Sequence, residues 1–147
     1  MTANALPDDL TDLSIEEYNR LFPAGALNEK MGVQLLEASP QRVVGTMPVE
    51  GNTQPYGLLH GGASVVLAET LGSVGGFLHA WPEKVSVGVD INATHHRSAT
   101  SGLVTGTATA IHLGRTSAAY EIVITDEAGK RVCTSRITLA LIPNPMR

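Results

Sequence analysis

The sequence predicts an α+β protein in which one long helix is enclosed by an antiparallel sheet. The first observation is an almost wholly apolar segment at residues 62–80, whose length suits five helical turns. The second is a series of long strand-like segments, separated by turn residues, that follows this helix. A helix that is apolar on nearly every side must be covered by other elements. Helix and strands are segregated along the chain, which indicates the α+β class and leaves the strand order open.

The elements before the long helix are short. Ser14 and Glu17 have the spacing of a capping box and predict a helix over residues 14–22, which Pro23 and Gly25 would end. Two strands are predicted at residues 33–38 and 42–49, joined by a turn that contains Pro40. A loop over residues 50–56 then leads into the long helix.

The second half of the chain is predicted to consist of strands. They are expected at residues 85–95, 103–112, 116–125 and 131–142, with turns around Gly102, Gly114 and Gly129. We divide the chain into an N-terminal extension with a short helix (1–26), one domain (27–142) and a tail (143–147) that is expected to fray.

Composition narrows the class of protein. The chain has 147 residues, 43% of them hydrophobic and 16% charged, which suits one globular domain. Its net charge of -4 gives no electrostatic reason to expect a nucleic-acid partner. Cys133 is the single cysteine, so no internal disulfide can form, and the acidic N-terminus lacks the features of a signal peptide. We expect a cytoplasmic protein without a membrane partner.

Glu69 is the one ionisable residue between His60 and His79. A carboxylate in an apolar helix is costly unless it has a partner or a task. The other polar side chains of this helix are small hydroxyls, and no basic residue lies nearby in sequence. The alternative is that Glu69 simply faces solvent, as most glutamates do. The apolar surroundings favour a functional role.

The motifs around this helix resemble those of a known family. Residues 57–73 contain GLLHGGAS, LAE and GS, residues 87–99 read VGVDINATHHRSA, and residues 112–117 read HLGRTS. Together they resemble the hotdog-fold acyl-CoA thioesterases, closest to the branch of the Arthrobacter-type 4-hydroxybenzoyl-CoA thioesterase and the enterobactin- and menaquinone-pathway enzymes. The resemblance covers about residues 27–142. It implies a long central helix wrapped by a curved antiparallel sheet, dimers joined edge to edge, and usually a dimer of dimers.

The two central site residues fit thioester hydrolysis. Gly61 begins the helix, so its N–H is free, lies at the positive end of the helix dipole and suits a developing oxyanion. Glu69 could attack the thioester carbonyl directly or activate water, and the sequence leaves both roles open. In the related enzymes this glutamate comes from the partner subunit and lies opposite the glycine N–H.

Three further residues belong to the predicted catalytic set. Ser73 lies four residues after Glu69 on the same helix face, and the resemblance implies that it holds water or the carboxylate. The alternative is a bond from its hydroxyl to the carbonyl four residues back. Gln54 matches a family glutamine near the thioester carbonyl. His60 could bind the thioester or organise the turn.

The other candidates concern substrate binding. His95 and His96 are neighbours on a strand and should point to opposite faces, and no residue spacing indicates a metal or cofactor site. The resemblance implies that His95 faces the acyl group. Coenzyme A carries phosphates, which basic residues bind. The resulting set of substrate-binding candidates is His95, Arg97, Arg115, Thr116 and Ser117.

We therefore predict a thioesterase acting on an acyl-CoA, with an aryl or hydroxylated acyl group, or on an acyl-carrier-protein thioester. Two alternatives share the fold. A hydratase or dehydratase acting on acyl thioesters would show a different histidine motif. A non-catalytic acyl-CoA-binding sensor would carry an added DNA-binding segment, for which an acidic chain of 147 residues leaves no room.

Overall fold

The computed structural model describes residues 6–147 of the chain. The first five residues of the predicted N-terminal extension lie outside this range. The described part contains three helices: α1 (Ile15–Leu21), α2 (Ala26–Met31) and α3 (Gly61–Ala80). Its six strands are β1 (Gln34–Ala38), β2 (Arg42–Pro48), β3 (Lys84–His95), β4 (Leu103–Leu113), β5 (Ser117–Thr125) and β6 (Arg131–Pro143).

The six strands form one sheet around α3. Their order is β1-β2-β4-β5-β6-β3, and every neighbouring pair is antiparallel. Helix α3 contacts five of the strands, β2 to β6, because the sheet curves around it. This arrangement confirms the predicted α+β class and the hotdog fold. It also shows the strand order, which places β1 and β3 at the two edges.

Helix α3 packs closely on the sheet through both large and very small residues. Leu67 and Leu71 are fully buried in the core. A methyl group placed on Gly75 would lie 2.7 Å from the ring of Tyr120, so the helix backbone touches this side chain directly. The Tyr120 hydroxyl donates a hydrogen bond to the Pro40 carbonyl at 2.6 Å. Glycine in α3 is thus required for the close approach of helix and sheet.

The length and composition of α3 alone would allow it to cross a membrane. Helices in the cores of globular proteins often share this property. In the structure α3 is enclosed by the strands, and Ala63, Ala68 and Gly72 are among its buried residues.

The N-terminal region contains one helix more than predicted. Helix α1 has the expected capping box between Ser14 and Glu17. Helix α2 was not predicted, since Gly25 was taken to end helical structure. Gly25 instead precedes α2 without a side-chain cap, and Gly32 ends it in the left-handed conformation with φ 74°. None of the residues in α2 is buried, so it lacks the apolar periodicity that reveals a helix.

The expectation that the tail frays is wrong for Asn144 and Arg147. Asn144 is 5% exposed and donates from its backbone to Glu83 and from its side chain to the Pro82 carbonyl, at 3.0 and 2.9 Å. Arg147 forms ion pairs with Asp8 and Glu83. The tail is therefore tied to the β3 end of the sheet and to the N-terminal segment.

Candidate active site

Four of the five predicted catalytic residues line two separate cavities of the chain, and the fifth, His60, is the N-cap of α3. One cavity of about 800 Å³ runs beside α3 and contains Glu69 and Ser73. The other, of about 360 Å³, lies at the start of α3 and contains Gln54, Gly61 and His95. The structure thus divides the predicted set into a Glu69 cavity and a Gly61 cavity.

The Gly61 cavity is built on the N-terminus of α3. The Nδ1 atom of His60 accepts a hydrogen bond from the Gly62 N–H at 2.8 Å, so His60 caps the helix. Within residues 6–147 the Gly61 N–H has no hydrogen-bond acceptor. Because Nδ1 of neutral His60 is an acceptor, its exposed Nε2 carries the proton and can donate. Two free donors therefore lie at the positive end of α3.

His95 completes one wall of the Gly61 cavity. A methyl group placed on Gly61 would lie 2.8 Å from Nε2 of His95, so a larger residue would push the ring away. Nε2 of the neighbouring His96 instead lies 2.9 Å from the Thr134 hydroxyl on β6. His96 nevertheless lines the same cavity as His95, so the structure does not confirm the prediction that the two rings point to opposite faces.

Gln54 reaches the same cavity from the loop before α3. Its side-chain oxygen accepts a hydrogen bond from the Tyr56 N–H and lies 3.5 Å from the Leu58 nitrogen. Because the oxygen is used inside the turn, the amide nitrogen of Gln54 remains as a donor. The side chain is half-buried, so the loop holds it in place.

Glu69 lies against strand β3 on one side of the Glu69 cavity. A methyl group placed on Gly88 would lie 2.6 Å from Oε1 of Glu69, which shows how closely the carboxylate approaches the strand. Across residues 6–147 this carboxylate has neither an ion-pair nor a hydrogen-bond partner. It is a half-buried carboxylate without the compensation that such a group normally has.

Ser73 lies one turn after Glu69 in the same cavity. The alternative bond from its hydroxyl to the Glu69 carbonyl is not formed in the described residues, whereas Thr70 does make such a bond to Val66, at 2.8 Å. The Ser73 carbonyl accepts a hydrogen bond from the Ser86 hydroxyl at 3.0 Å, which links α3 to β3. The Ser73 hydroxyl is therefore available to a water molecule or to Glu69.

Gly61 and Glu69 of one chain cannot contact the same carbonyl group. Glu69 follows Gly61 by eight residues, which separates them by about 12 Å along the helix axis. An oxyanion donor and an attacking carboxylate must both lie within about 3 Å of the reacting carbonyl. One chain therefore presents the two halves of the predicted site in different places.

The predicted substrate-binding residues are divided in the same way. Arg97 lines the Gly61 cavity. Arg115 and Thr116 lie in the β4–β5 turn at the other end of α3, Ser117 begins β5, and the Arg115 carbonyl accepts a hydrogen bond from Lys84. The structure does not bring this turn to Arg97 within one chain.

Sequence reasoning missed the N-terminal residues that line the Glu69 cavity. They include Tyr18, Asn19, Phe22 and Asn28. The spacing of Tyr18 and Phe22 in an amphipathic helix predicts burial but does not show what the helix covers. Burial raises the pKa of the Tyr18 hydroxyl to about 12, so this side chain stays neutral at ordinary pH. Among residues 6–147 there is no cluster of His, Cys, Asp and Glu that could hold a metal ion.

Comparison with known proteins identifies the family. The profile of the Thioesterase superfamily matches residues 56–133. The chain is also 47% identical over 119 residues to a protein of Cronobacter turicensis named Proofreading thioesterase EntH, covering 80% of this chain and 87% of that protein. The chain belongs to the thioesterase superfamily. It is a thioester hydrolase, as the motifs around Gly61 and Glu69 predicted.

Solved structures of thioesterases have the same fold. The thioesterase HI1161 of Haemophilus influenzae is 39% identical, with a TM-score of 0.84 over 93% of this chain and 96% of that one. A variant of the thioesterase PA1618 of Pseudomonas aeruginosa is 36% identical, with a TM-score of 0.85 over 94% and 100% of the two chains. The curved sheet around α3 is therefore the hotdog fold of this superfamily.

The capping role of His60 in this thioesterase can be measured separately from any role in chemistry. His60→Ala removes the acceptor for the Gly62 N–H and should lower the free energy of unfolding by about 1 kcal/mol. His60→Asn supplies another good N-cap and should restore most of that loss. Urea unfolding of the three proteins measures both effects. Equal stability of His60→Ala and the wild type would show that the cap contributes nothing.

Proposed function

We propose that this thioesterase hydrolyses acyl-CoA thioesters and prefers aryl or hydroxylated acyl groups to long chains. The observation that carries the proposal is the pair formed by the Gly61 N–H at the start of α3 and the Glu69 carboxylate, neither of which has a hydrogen-bond partner among residues 6–147. The motifs shared with the aryl-CoA thioesterase branch support the acyl preference. An acyl-carrier-protein thioester offers the same reacting group on the same pantetheine arm, so the assay must include both carriers.

In this mechanism the Gly61 N–H donates to the thioester oxygen as negative charge develops there. The dipole of α3 strengthens this donor, and the Gln54 amide and Nε2–H of His60 would help to orient the carbonyl. Glu69 then acts in one of two ways. It attacks the carbonyl carbon and forms an anhydride as the thiolate leaves, and water hydrolyses that anhydride. Otherwise it removes a proton from a water molecule that attacks directly. The Ser73 hydroxyl would position that water or the carboxylate.

We propose that the complete site uses Gly61 of one subunit and Glu69 of another, because one chain separates them. The free edge of β3 supports this arrangement. Gly88 lies beside Glu69 near the middle of this strand, and His95 lies beside Gly61 at its end. Antiparallel pairing of two β3 edges about the point midway between Ile91 and Asn92 would place His95 of one copy opposite Gly88 of the other.

The exposure of β3 also supports pairing with a second copy. This edge strand has twelve residues, and Val87 and Val89 are 41% and 65% exposed. Long apolar edges of this kind invite another strand. The same two-fold axis would bring the turn at Arg115, Thr116 and Ser117 toward Arg97 of the other copy. Basic groups from both subunits would then surround the phosphates of coenzyme A, with His95 near the thioester.

The substrate preference is tested by thiol release from a panel of acyl-CoAs. We expect kcat/KM for benzoyl-CoA and hydroxybenzoyl-CoA to exceed that for palmitoyl-CoA by at least about tenfold, because an extended palmitoyl chain is longer than the roughly 12 Å between Glu69 and Phe77 along α3. The matching acyl-carrier-protein thioesters are measured beside them. Preference for palmitoyl-CoA would overturn the acyl assignment, and failure to release thiol from every substrate would overturn the proposed function.

Glu69→Gln should reduce kcat by at least about 10²-fold while the protein stays folded. The amide keeps the shape of the side chain and loses the charge that attacks or activates water. Ser73→Ala should cost less, since the carboxylate remains. Near-normal kcat for Glu69→Gln on a good substrate would show that another group performs the chemistry.

Gly88→Ala tests the position of the same carboxylate. The added methyl group would overlap Oε1 of Glu69, the mobile end of a flexible side chain, so kcat should fall with little change in stability. In the Glu69→Gln background the same substitution should lower kcat hardly at all, because the two changes act on one group. If the loss of kcat in the double variant equals the product of the two single losses, Gly88→Ala does not act through Glu69.

Subunit mixing tests the shared site. Gln54→Ala and Glu69→Ala would each impair every site of its own homodimer. A mixed dimer would combine one intact site with one doubly damaged site. Mixing the impaired Gln54→Ala protein with the inactive Glu69→Ala protein under conditions that allow subunit exchange should therefore restore activity, up to about one-quarter of the wild-type value for random exchange of equal amounts. A fully active single chain by light scattering would contradict the shared site.

A further inference from the structure

The Glu69 cavity extends well beyond the carboxylate. Glu69, Ser73 and Phe77 lie at intervals of four residues on α3, and all three line the cavity. This stripe covers about 12 Å along the helix axis. Glu69 lies at one end and the ring of Phe77 at the other. The distance leaves room for an acyl group between the reacting carbonyl and the aromatic end.

The opposite side of the cavity consists of residues 15–31, which we call the N-terminal wall. Tyr18 and Asn19 of α1, Phe22 at the end of α1, and Asn28 of α2 all line the cavity. Most of this segment falls in the part of the chain that the sequence assigned to an extension outside the domain. In the structure it faces the same space as Glu69.

Aromatic packing holds the N-terminal wall at the far end of the cavity. The Phe22 ring centre lies 5.1 Å from that of Tyr18 and 5.0 Å from that of Phe77, with the second pair edge to face. Trp81 packs on Phe22 and Phe77 at 6.2 and 5.2 Å, and its indole N–H donates to the Pro7 carbonyl at 2.8 Å. Contacts of this kind fix the position of Phe22.

A hydrogen bond holds the wall near its reactive end. The single proton of the Thr70 hydroxyl is shared between the Val66 carbonyl at 2.8 Å and the side-chain oxygen of Asn28 at 2.9 Å, and Asn28 donates from its amide to the Ala24 carbonyl at 2.9 Å. Thr70 is the residue that follows Glu69. The wall is therefore attached to α3 both beside the carboxylate and at the aromatic end.

We infer that the N-terminal wall determines which acyl groups this thioesterase accepts, with Phe22 limiting the length of the acyl group and Asn19 its width. The inference rests on the proposed function, since it assigns the acyl group to the Glu69 cavity. The stretch of about 12 Å between Glu69 and Phe77 has room for a single aromatic ring, whereas a longer acyl chain would meet Phe22, which packs on Phe77, and would have to displace it. A pocket of fixed length discriminates strongly against groups that are too long for it.

Asn19→Trp tests the width of the cavity, and Arg20→Trp is its matched control. Both positions are exposed on α1, but only Asn19 lines the cavity. Asn19→Trp should lower kcat/KM for benzoyl-CoA at least tenfold relative to acetyl-CoA, while Arg20→Trp leaves this ratio unchanged. An unchanged ratio in Asn19→Trp, or the same change in both variants, would overturn the inference.

Phe22→Ala tests the length limit. It should raise kcat/KM for decanoyl-CoA at least fivefold relative to benzoyl-CoA, and Phe22→Leu should do so by less. Trp81→Phe alters the same aromatic cluster without altering a cavity-lining residue, and should leave the ratio as in the wild type. If Phe22→Ala does not fold, Phe22→Leu and the Asn19 pair still decide the question. No gain for decanoyl-CoA in a folded Phe22 variant would overturn the length limit.

A binding measurement separates this inference from the proposed function. Thioether analogues, in which a methylene group stands between the carbonyl and the sulfur, bind without being hydrolysed. Calorimetry should show the Asn19→Trp variant losing at least tenfold in affinity for the phenyl analogue relative to the methyl analogue. If the wild type hydrolyses no acyl-CoA, the proposed function is wrong. The measured affinities would still show whether the N-terminal wall selects the acyl group.

Discussion

The close contact between α3 and the sheet is the constraint on which the rest of the structure depends. Gly72 and Gly75 place only hydrogen atoms against Ile137 and Tyr120, where a methyl group would overlap both side chains. At this distance the sheet can curve around the helix and bury Leu71. With the glycine side of α3 committed to the sheet, another side of the same helix is left to present Glu69 to a cavity.

The same helix supplies two kinds of chemistry at two places. Its first turn offers the Gly61 N–H, which lies beside His60 and His95 and has no acceptor among residues 6–147, while Glu69, two turns later, has no partner within the same residues. A half-buried carboxylate and an unfilled helix N-terminus both reduce stability in an isolated chain. Both features would gain partners if a second copy of the chain and a substrate bound at these places. The uncovered edge of β3 is the third incomplete feature, and one pairing would satisfy all three.

The sequence predicted those parts of the molecule whose pattern is local. The apolar run to Ala80 and the alternating strands gave the elements nearly to their ends, and the motif around Gly61 led to the family. Strand order and the covering of Glu69 depend on contacts between distant segments, such as Asn28 with Thr70. Helix α2 was missed because it buries nothing. The role of Phe22 was missed because periodicity shows that a residue is buried but not which cavity it closes.

The position of Trp81 makes the docking of the N-terminal segment visible by spectroscopy. Trp81 is the only tryptophan in the sequence, and it lies between the end of α3 and the N-terminal wall, with its indole bound to Pro7. Its emission spectrum therefore reports on one junction without interference from any other indole. Local release of residues 7–22 would expose the ring to water and shift its emission to longer wavelength, even while the sheet remained folded.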